Sequence, residues 1–175
     1  MSAWENDCRR QLQFLCGNDA VLASHVGPAL EGIRTAPSLH LAVFVEPYLS
    51  FILDGRKTVE SRFSAVRCAP YDRVRAGDVI LLKRAGGPVV GVCRATSAYF
   101  YELDGATLRE IKANFSRRIC PAESNFWSSR ANASFATLIS VSDVYRTPNF
   151  KVKKRDRRGW VTFSRTVMGQ RLLYV

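Results

Sequence analysis

Between Trp4 and Ile33 the apolar residues recur at helical spacing: Leu12, Leu15 and Cys16, then Val21, Leu22, His25 and Val26. Gly17-Asn18 and Gly27-Pro28 interrupt this pattern, which predicts two short helices ending at those points. Residues 34–38, with Pro37, read as a linker. From 39 to 45 a dense apolar run suits a buried strand. Pro47 then opens a short helix as a first-turn proline, with Tyr48, Phe51 and Ile52 on one face and Asp54-Gly55 at its end.

The period changes at Lys57. Val59, Ser61 and Phe63 alternate with Thr58, Glu60 and Arg62, the pattern of a strand with one apolar and one polar face. Residues 71–77 are turn-rich, and 78–83 with 89–99 read as a hairpin joined by Ala85-Gly86-Gly87-Pro88. Thr107 followed by Glu110 resembles a capping box for a helix whose buried stripe is Leu108, Ile111 and Phe115. Residues 135–145 and 159–163 supply two more strands. About six short strands and two or three helices, out of alternating order, predict an α+β domain around a curved or barrel-like sheet, preceded by a helical extension.

Composition adds little to this: 175 residues, 47% hydrophobic and 23% charged, suit one globular domain and exclude a disordered chain. Charge adds a partner class. Residues 1–50 hold 3 basic and 5 acidic residues, so the formal net charge of +11 places a surplus of +13 in residues 51–175. Lys and Arg concentrated in this way release counterions on neutralising phosphates, which puts a polyanion first, ahead of solubility charge or loose attraction to anionic lipid. The five cysteines, odd in number and with no C-x-x-C pair, give neither a disulfide framework nor a zinc ribbon. His25 and His40 each stand alone, as helix or strand-edge residues rather than ligands. No metal and no cofactor is expected. With no basic-then-apolar leader and no run of about 18 apolar residues, the expected setting is a reduced cytoplasm with no membrane partner.

Candidate chemistry concentrates in Asp54-Gly55-Arg56-Lys57-Thr58-Val59-Glu60-Ser61-Arg62. If Val59 and Phe63 pack inward, Thr58, Glu60 and Arg62 share one exposed surface or cleft. There Lys57 and Arg62 suit phosphates, and Glu60 can accept from a base amino group. The plainer alternative is a solvated ion pair of Glu60 with Arg62 or Lys57. Lys151, Lys153, Lys154, Arg155, Arg157 and Arg158 surround one acid beside Trp160. They form either a phosphate track with a stacking platform or solvated charge next to a core indole. Arg117 and Arg118, followed by residues 125–130 with Ser128 and Arg130, have the composition of a binding loop, in which Phe126 and Trp127 meet a ligand or plug the barrel end. In Tyr99-Phe100-Tyr101, alternation turns the two tyrosines one way and Phe100 the other.

The G-x-K-T-x-E-x-R run after a proline-started helix, the Gly77-Asp78-Val79-Ile80-Leu81-Leu82 strand, and Arg155-Asp156-Arg157-Arg158-Gly159-Trp160-Val161, in that order, resemble the ASCH domain of the PUA-like superfamily. The resemblance spans residues 38–163. It leaves 1–37 as a helical N-terminal extension and 164–175 as a C-terminal tail. It implies a PUA-like β-barrel of about six strands with flanking helices, a cleft floored by the Gly-x-Lys strand, and binding of RNA or other nucleic acid. Some ASCH-like proteins are ribonucleases, and others are amidohydrolases acting on acylated cytidine nucleosides. The amidohydrolase branch wants a threonine nucleophile three residues after the lysine, where this chain has Glu60. Metal-independent RNA cleavage needs a base for the 2′-hydroxyl and a cation for the phosphate. Lys57 is the candidate cation and Glu60 or Tyr48 the proton carrier. Binding by Lys57, Thr58, Glu60, Arg62, Arg117, Arg118, Ser128, Arg130 and the basic run is the leading expectation, with ribonuclease action in the same cleft as the alternative. An exposed Lys57 is expected to matter for ligand and little for stability.

Overall fold

In the computed structural model, which describes residues 2–31, 35–154 and 157–163, the chain opens with two helices, α1 (Ala3–Cys16) and α2 (Ala20–Leu30). Ser2 caps α1 in a reciprocal box with Glu5, and Asp19 caps α2 by accepting the Leu22 N–H at 2.9 Å. The first break falls at Gly17 as expected. The second does not: Pro28 lies inside α2, because Leu22, Val26 and Ala29 are buried against the sheet and that packing outweighs the hydrogen bond a proline removes.

Six strands follow: β1 (Leu39–Phe44), β2 (Val59–Ser64), β3 (Val79–Arg84), β4 (Val89–Glu102), β5 (Phe135–Phe150) and β6 (Trp160–Thr162). They form one sheet in the order β2-β5-β4-β3-β1-β6, with β1 parallel to β3 and the other pairs antiparallel. β3 and β4 are the expected hairpin. β5 runs past its expected end, since the polar stretch around Arg146 still pairs with Gly91 of β4. Three register shifts between β4 and β5 curl the sheet into a half-barrel. The expected α+β, PUA-like barrel with flanking helices is the architecture found.

Helix α3 (Tyr48–Leu53) starts just after Pro47, which occupies the N-cap position rather than the first turn. Helix α4 (Gly105–Ile119) is capped by Asp104, whose carboxylate accepts the Thr107 N–H at 2.7 Å. Thr107 is thus the third helical residue and not the cap, because an aspartate three positions earlier is the better acceptor for the orphan N–H groups. A single 3₁₀ turn covers Ser128–Arg130.

Alternation along β1 divides the interior. Leu39 and Leu41 join Val79, Leu81 and Val161 beneath Cys8, Leu12, Leu22 and Val26 of the N-terminal helices. Ala42 and Phe44 join Ile80, Leu82, Ile139 and Trp160 on the inner face of the curl, covered by Leu49 and Ile52 of α3. A third group, with Val59, Ile111, Ile119, Phe126 and Leu138, lies under α4. The helices α1 and α2 therefore form one outer layer of the molecule and share a core with β1, β3 and β6. No helix among the described residues is long and apolar enough to cross a membrane.

His40 is not a strand-edge residue. It is fully buried on the inner face, with Nε2 3.0 Å from Asp78 Oδ2 and Nδ1 3.2 Å from Trp160 Nε1. An indole N–H can only donate, so Nδ1 accepts and Nε2–H donates to Asp78. Asp78 also accepts the N–H of Ser38 and of Arg75, each at 2.7 Å, and so ties β3, β1 and the preceding loop together.

Two outcomes follow from this core. Leu12→Ala, at a fully buried α1 position, is expected to lower stability by about 2–5 kcal/mol within a single urea transition; an early, separate unfolding of the helices would contradict it. Burial by itself pushes the Asp78 carboxyl up, yet the His40 ring and the two backbone N–H groups outweigh it and hold the group below the usual 3.8. That stability is present above 3.8 and lost as pH falls through the lower folded value. Asp78→Asn is therefore expected to reduce stability at neutral pH and to flatten its acid limb, read from urea midpoints across the pH range.

Candidate functional site

Gly55, at φ +74°, turns the chain out of α3 in a conformation few other residues adopt. The Lys57 N–H then bonds the Phe51 carbonyl at 2.9 Å and the Thr58 N–H bonds the Arg118 carbonyl at 3.1 Å, which fixes the entry to β2. Glu60 and Arg62 share a face as the alternation requires, but that face is not open to water. Lys57 is 3% and Glu60 5% exposed. Of the two settings expected, an exposed surface or a cleft, the face is the floor of a cleft, because the half-barrel folds α3, α4 and the 126–130 segment around it.

Lys57 Nζ donates to the Ile119 carbonyl at 3.0 Å and lies 3.4 Å from Glu60 Oε2. The second Glu60 oxygen accepts from Arg62 Nε at 2.6 Å. Arg62 continues outward, with Nη2 donating to the Val43 carbonyl at 2.9 Å and Nη1 to the Gly159 carbonyl at 3.4 Å. Its guanidinium lies 5.0 Å from the centre of Phe44 and 5.5 Å from that of Trp160. Since β2 and β6 are the two edges of the sheet, Arg62 ties one edge strand to the chain at the other edge, where no backbone ladder runs.

The cleft in this seam measures about 460 Å³ and is lined by Val43, Phe44, Val45, Tyr48, Lys57, Glu60, Ser61, Arg62, Phe63, Phe126, Ser129 and Arg130. Arg130 donates to the Phe126 carbonyl at 2.5 Å and stacks 3.5 Å from the centre of the Phe126 ring. The Tyr48 hydroxyl donates to Glu123 and accepts the Ala122 N–H at 3.2 Å. Burial, followed by the Glu123 contact, pushes the Tyr48 phenol up. Burial also draws the Lys57 ammonium below 10.5, and Glu60 pulls it back. Three cations thus line the cleft with one carboxylate among them, and aromatic rings form its sides.

The sequence-predicted residues divide between this cleft and other surfaces. Tyr48, Lys57, Glu60, Arg62 and Arg130 come together. Thr58 does not line the cleft: its hydroxyl pairs with Arg118 Nε at 3.4 Å, and Arg118 also donates to Ser140 at 3.0 Å. Arg117 and Ser128 are exposed and do not line the cleft. Lys151, Lys153, Arg157 and Arg158 are exposed, and Lys154 Nζ donates to the Arg158 carbonyl at 2.7 Å; Arg155 lies outside the described residues. Trp160 is 3% exposed and is a core residue beneath Arg62, so it is not an open stacking platform. Phe126, at the same exposure, packs against Phe63 and Tyr48 as a plug. Tyr99 and Tyr101 turn toward α4 while Phe100 meets Tyr71. Sequence reasoning missed Val43 and Gly159, whose contribution is a backbone carbonyl and leaves no side-chain signal. Among the described residues no three His, Cys, Asp or Glu side chains gather to hold a metal ion.

No family model matches the sequence, and no curated protein matches it. Solved structures do. An ASCH protein from Zymomonas mobilis aligns with a TM-score of 0.58 and 11% identity over 72% of this chain and 87% of its own. The chain has the ASCH-domain fold. A tyrosine-to-phenylalanine variant of that Zymomonas mobilis ASCH protein aligns at 0.56 with 12% identity, covering 72% and 90% of the two chains. A serine-to-alanine variant aligns at 0.52 with 13% identity, covering 64% and 72%. An ASCH fold at such low identity carries the architecture across and leaves each residue of the cleft to its own geometry.

The burial of Lys57 reverses the expectation for its removal. Lys57→Ala leaves the nearly buried Glu60 short of a partner and is expected to cost about 3 kcal/mol in the urea midpoint. A loss below about 0.5 kcal/mol, the range of an ordinary surface change, would contradict the buried pair.

Proposed function

We propose that this ASCH-fold chain binds nucleic acid, RNA or another single strand, with the cleft holding part of the strand and the basic run holding its phosphates. The observation that carries the reading is one of continuity. The run from Lys151 to Arg158 ends at Gly159, whose carbonyl is already in the grasp of Arg62 at the cleft. Exposed Arg157 and Arg158 thus stand next in the chain to a cationic, aromatic-walled cleft. A phosphate track beside a stacking surface is the general form of single-strand binding. The size supports the same reading, since a cleft of about 460 Å³ suits one small unit of a ligand and not a duplex.

Binding is favoured over cleavage by what the polar groups are already doing. Both Glu60 oxygens are engaged by cations, and Lys57 is held by a backbone carbonyl and by Glu60. A carboxylate in that state is a poor base for a 2′-hydroxyl. A ribonuclease reading would rest on Tyr48, whose phenol is pushed up and away from the neutral range.

Purified protein incubated with labelled single-stranded RNA, duplex RNA and DNA is expected to shift single strands in a native gel while a denaturing gel shows them intact. Affinity should fall with salt at a log-log slope of about −0.7 per phosphate contact. Replacing Lys153 and Lys154 together by Ala should weaken binding alike for all sequences and flatten that slope by roughly 0.7 to 1.4. An affinity indifferent to salt removes the proposal, and strands cut in the denaturing gel would replace it with the ribonuclease reading.

A further inference from the structure

The donors of the cleft are held in two different ways. Lys57 is fixed by the Ile119 carbonyl and buried Glu60, Arg62 by the carbonyls of Val43 and Gly159, and Arg130 by the carbonyl of Phe126. These acceptors are backbone carbonyls or, for Glu60, a carboxylate that is itself buried. The Tyr48 hydroxyl is different. Its proton goes to Glu123, an exposed side chain on the loop after α4. Glu123 makes no ion pair with a cation among the described residues. Its carboxylate is tied to a phenol at the mouth of a cleft that contains three cations.

That placement has a chemical reading. A carboxylate and a phosphate present the same kind of anionic oxygen to an O–H donor, and both make short charge-assisted bonds. The chain's own carboxylate therefore occupies a position where a ligand's anionic oxygen would be bound. Leaving costs Glu123 little, because an exposed side chain regains water and rotamer freedom on release. A phosphate arriving in its place meets the field of Lys57, Arg62 and Arg130, and the departure of Glu123 removes a negative charge that would repel it.

We propose that the Tyr48 hydroxyl, beside Arg130, is a phosphate-oxygen subsite of the cleft and that Glu123 is its built-in competitor, displaced when a phosphate binds. The inference rests on the reading of the cleft as a site for phosphate-bearing ligands, and it adds which atom meets the phosphate and what regulates access. The Ala122 N–H, which donates to the same hydroxyl oxygen, keeps the phenol oriented in both states and reports on the exchange.

The test uses the full chain, labelled with nitrogen-15, and inorganic phosphate as the probe, with the Ala122 amide and the Arg130 side-chain N–H as reporters. Phosphate should move both resonances. Glu123→Ala and Glu123→Gln should each tighten the dissociation constant by roughly two- to fivefold, the factor that an exposed charge-assisted pair is worth. In a Tyr48→Phe background the same two substitutions should give no gain, since the subsite has lost its donor. Equal affinity in wild type and Glu123→Ala overturns the proposal, as does weaker binding in that variant. A gain that persists with Tyr48→Phe overturns it too, because it would be only a long-range charge effect. Unmoved reporters in every variant overturn it as well. The single-strand reading fails separately: RNA that does not bind while phosphate tightens as described removes the nucleic-acid proposal and leaves the subsite. RNA and phosphate binding that are both indifferent to Glu123 remove the subsite alone.

Discussion

A sheet that curls without closing leaves two edges facing one another, and here a single side chain spans them. Arg62 rises from β2, takes the carbonyls of Val43 and Gly159 across the seam, and is held from behind by Glu60. Glu60 is balanced in turn by Lys57, which hangs from the end of α4 at Ile119. The order of burial sets the roles. Lys57 and Glu60 are almost wholly enclosed, while Arg62 remains about a quarter exposed, with a side-chain exposure of 24%. A buried ion pair of this kind adds little net stability over apolar packing, but it allows few other arrangements. Together with Arg62 and Arg130 it leaves a cationic surface at the floor of the seam.

The supports of that bridge come from separate parts of the chain. Phe44 and Trp160 lie beneath the guanidinium, and Trp160 is anchored through its indole N–H to His40 and from there to Asp78. Gly159 lies close beneath the bridge: a Cβ there would sit 3.2 Å from Arg62 Nη1, so a larger residue would have to shift the guanidinium slightly. On the far side of the sheet α1 and α2 close the outer core under β1 and β6, so the N-terminal helices stabilise the strands whose ends grip Arg62. The ASCH fold thus positions the cleft through contacts that are mostly distant from it.

Much of the fold was legible in the chain. Alternation from Val59 to Arg62 predicted the strand and its two faces, and the run at 39–45 predicted β1. What was not legible depends on what a periodic pattern leaves out. Alternation says that Glu60 and Arg62 share a face but not whether that face meets water, and only the curl of the sheet decides it. Pro28 and Thr107 misled for a related reason: each is a local signal, overridden by packing in one case and by the stronger cap Asp104 in the other. His40 stood alone in sequence because its partners, Asp78, Trp160 and Thr162, are contributed by other strands or the residue leading into one. Val43 and Gly159 act through carbonyls, which every residue possesses. The ASCH resemblance reached the fold correctly through three short motifs, and two of them, the Gly-x-Lys strand and the segment before Trp160, meet at Arg62.

If a single strand is held as proposed, it lies in this seam. The most direct measurement is a map of backbone amide shifts as a short single-stranded RNA is titrated into the nitrogen-15-labelled chain. The largest shifts are expected to cluster at residues 43–45, 57–63 and 129–130 and to continue along 151–159, while α1 and the outer core stay still. Shifts concentrated on α1 and α2, or on the Thr58 and Arg118 side of β2 with the cleft residues unmoved, would contradict it.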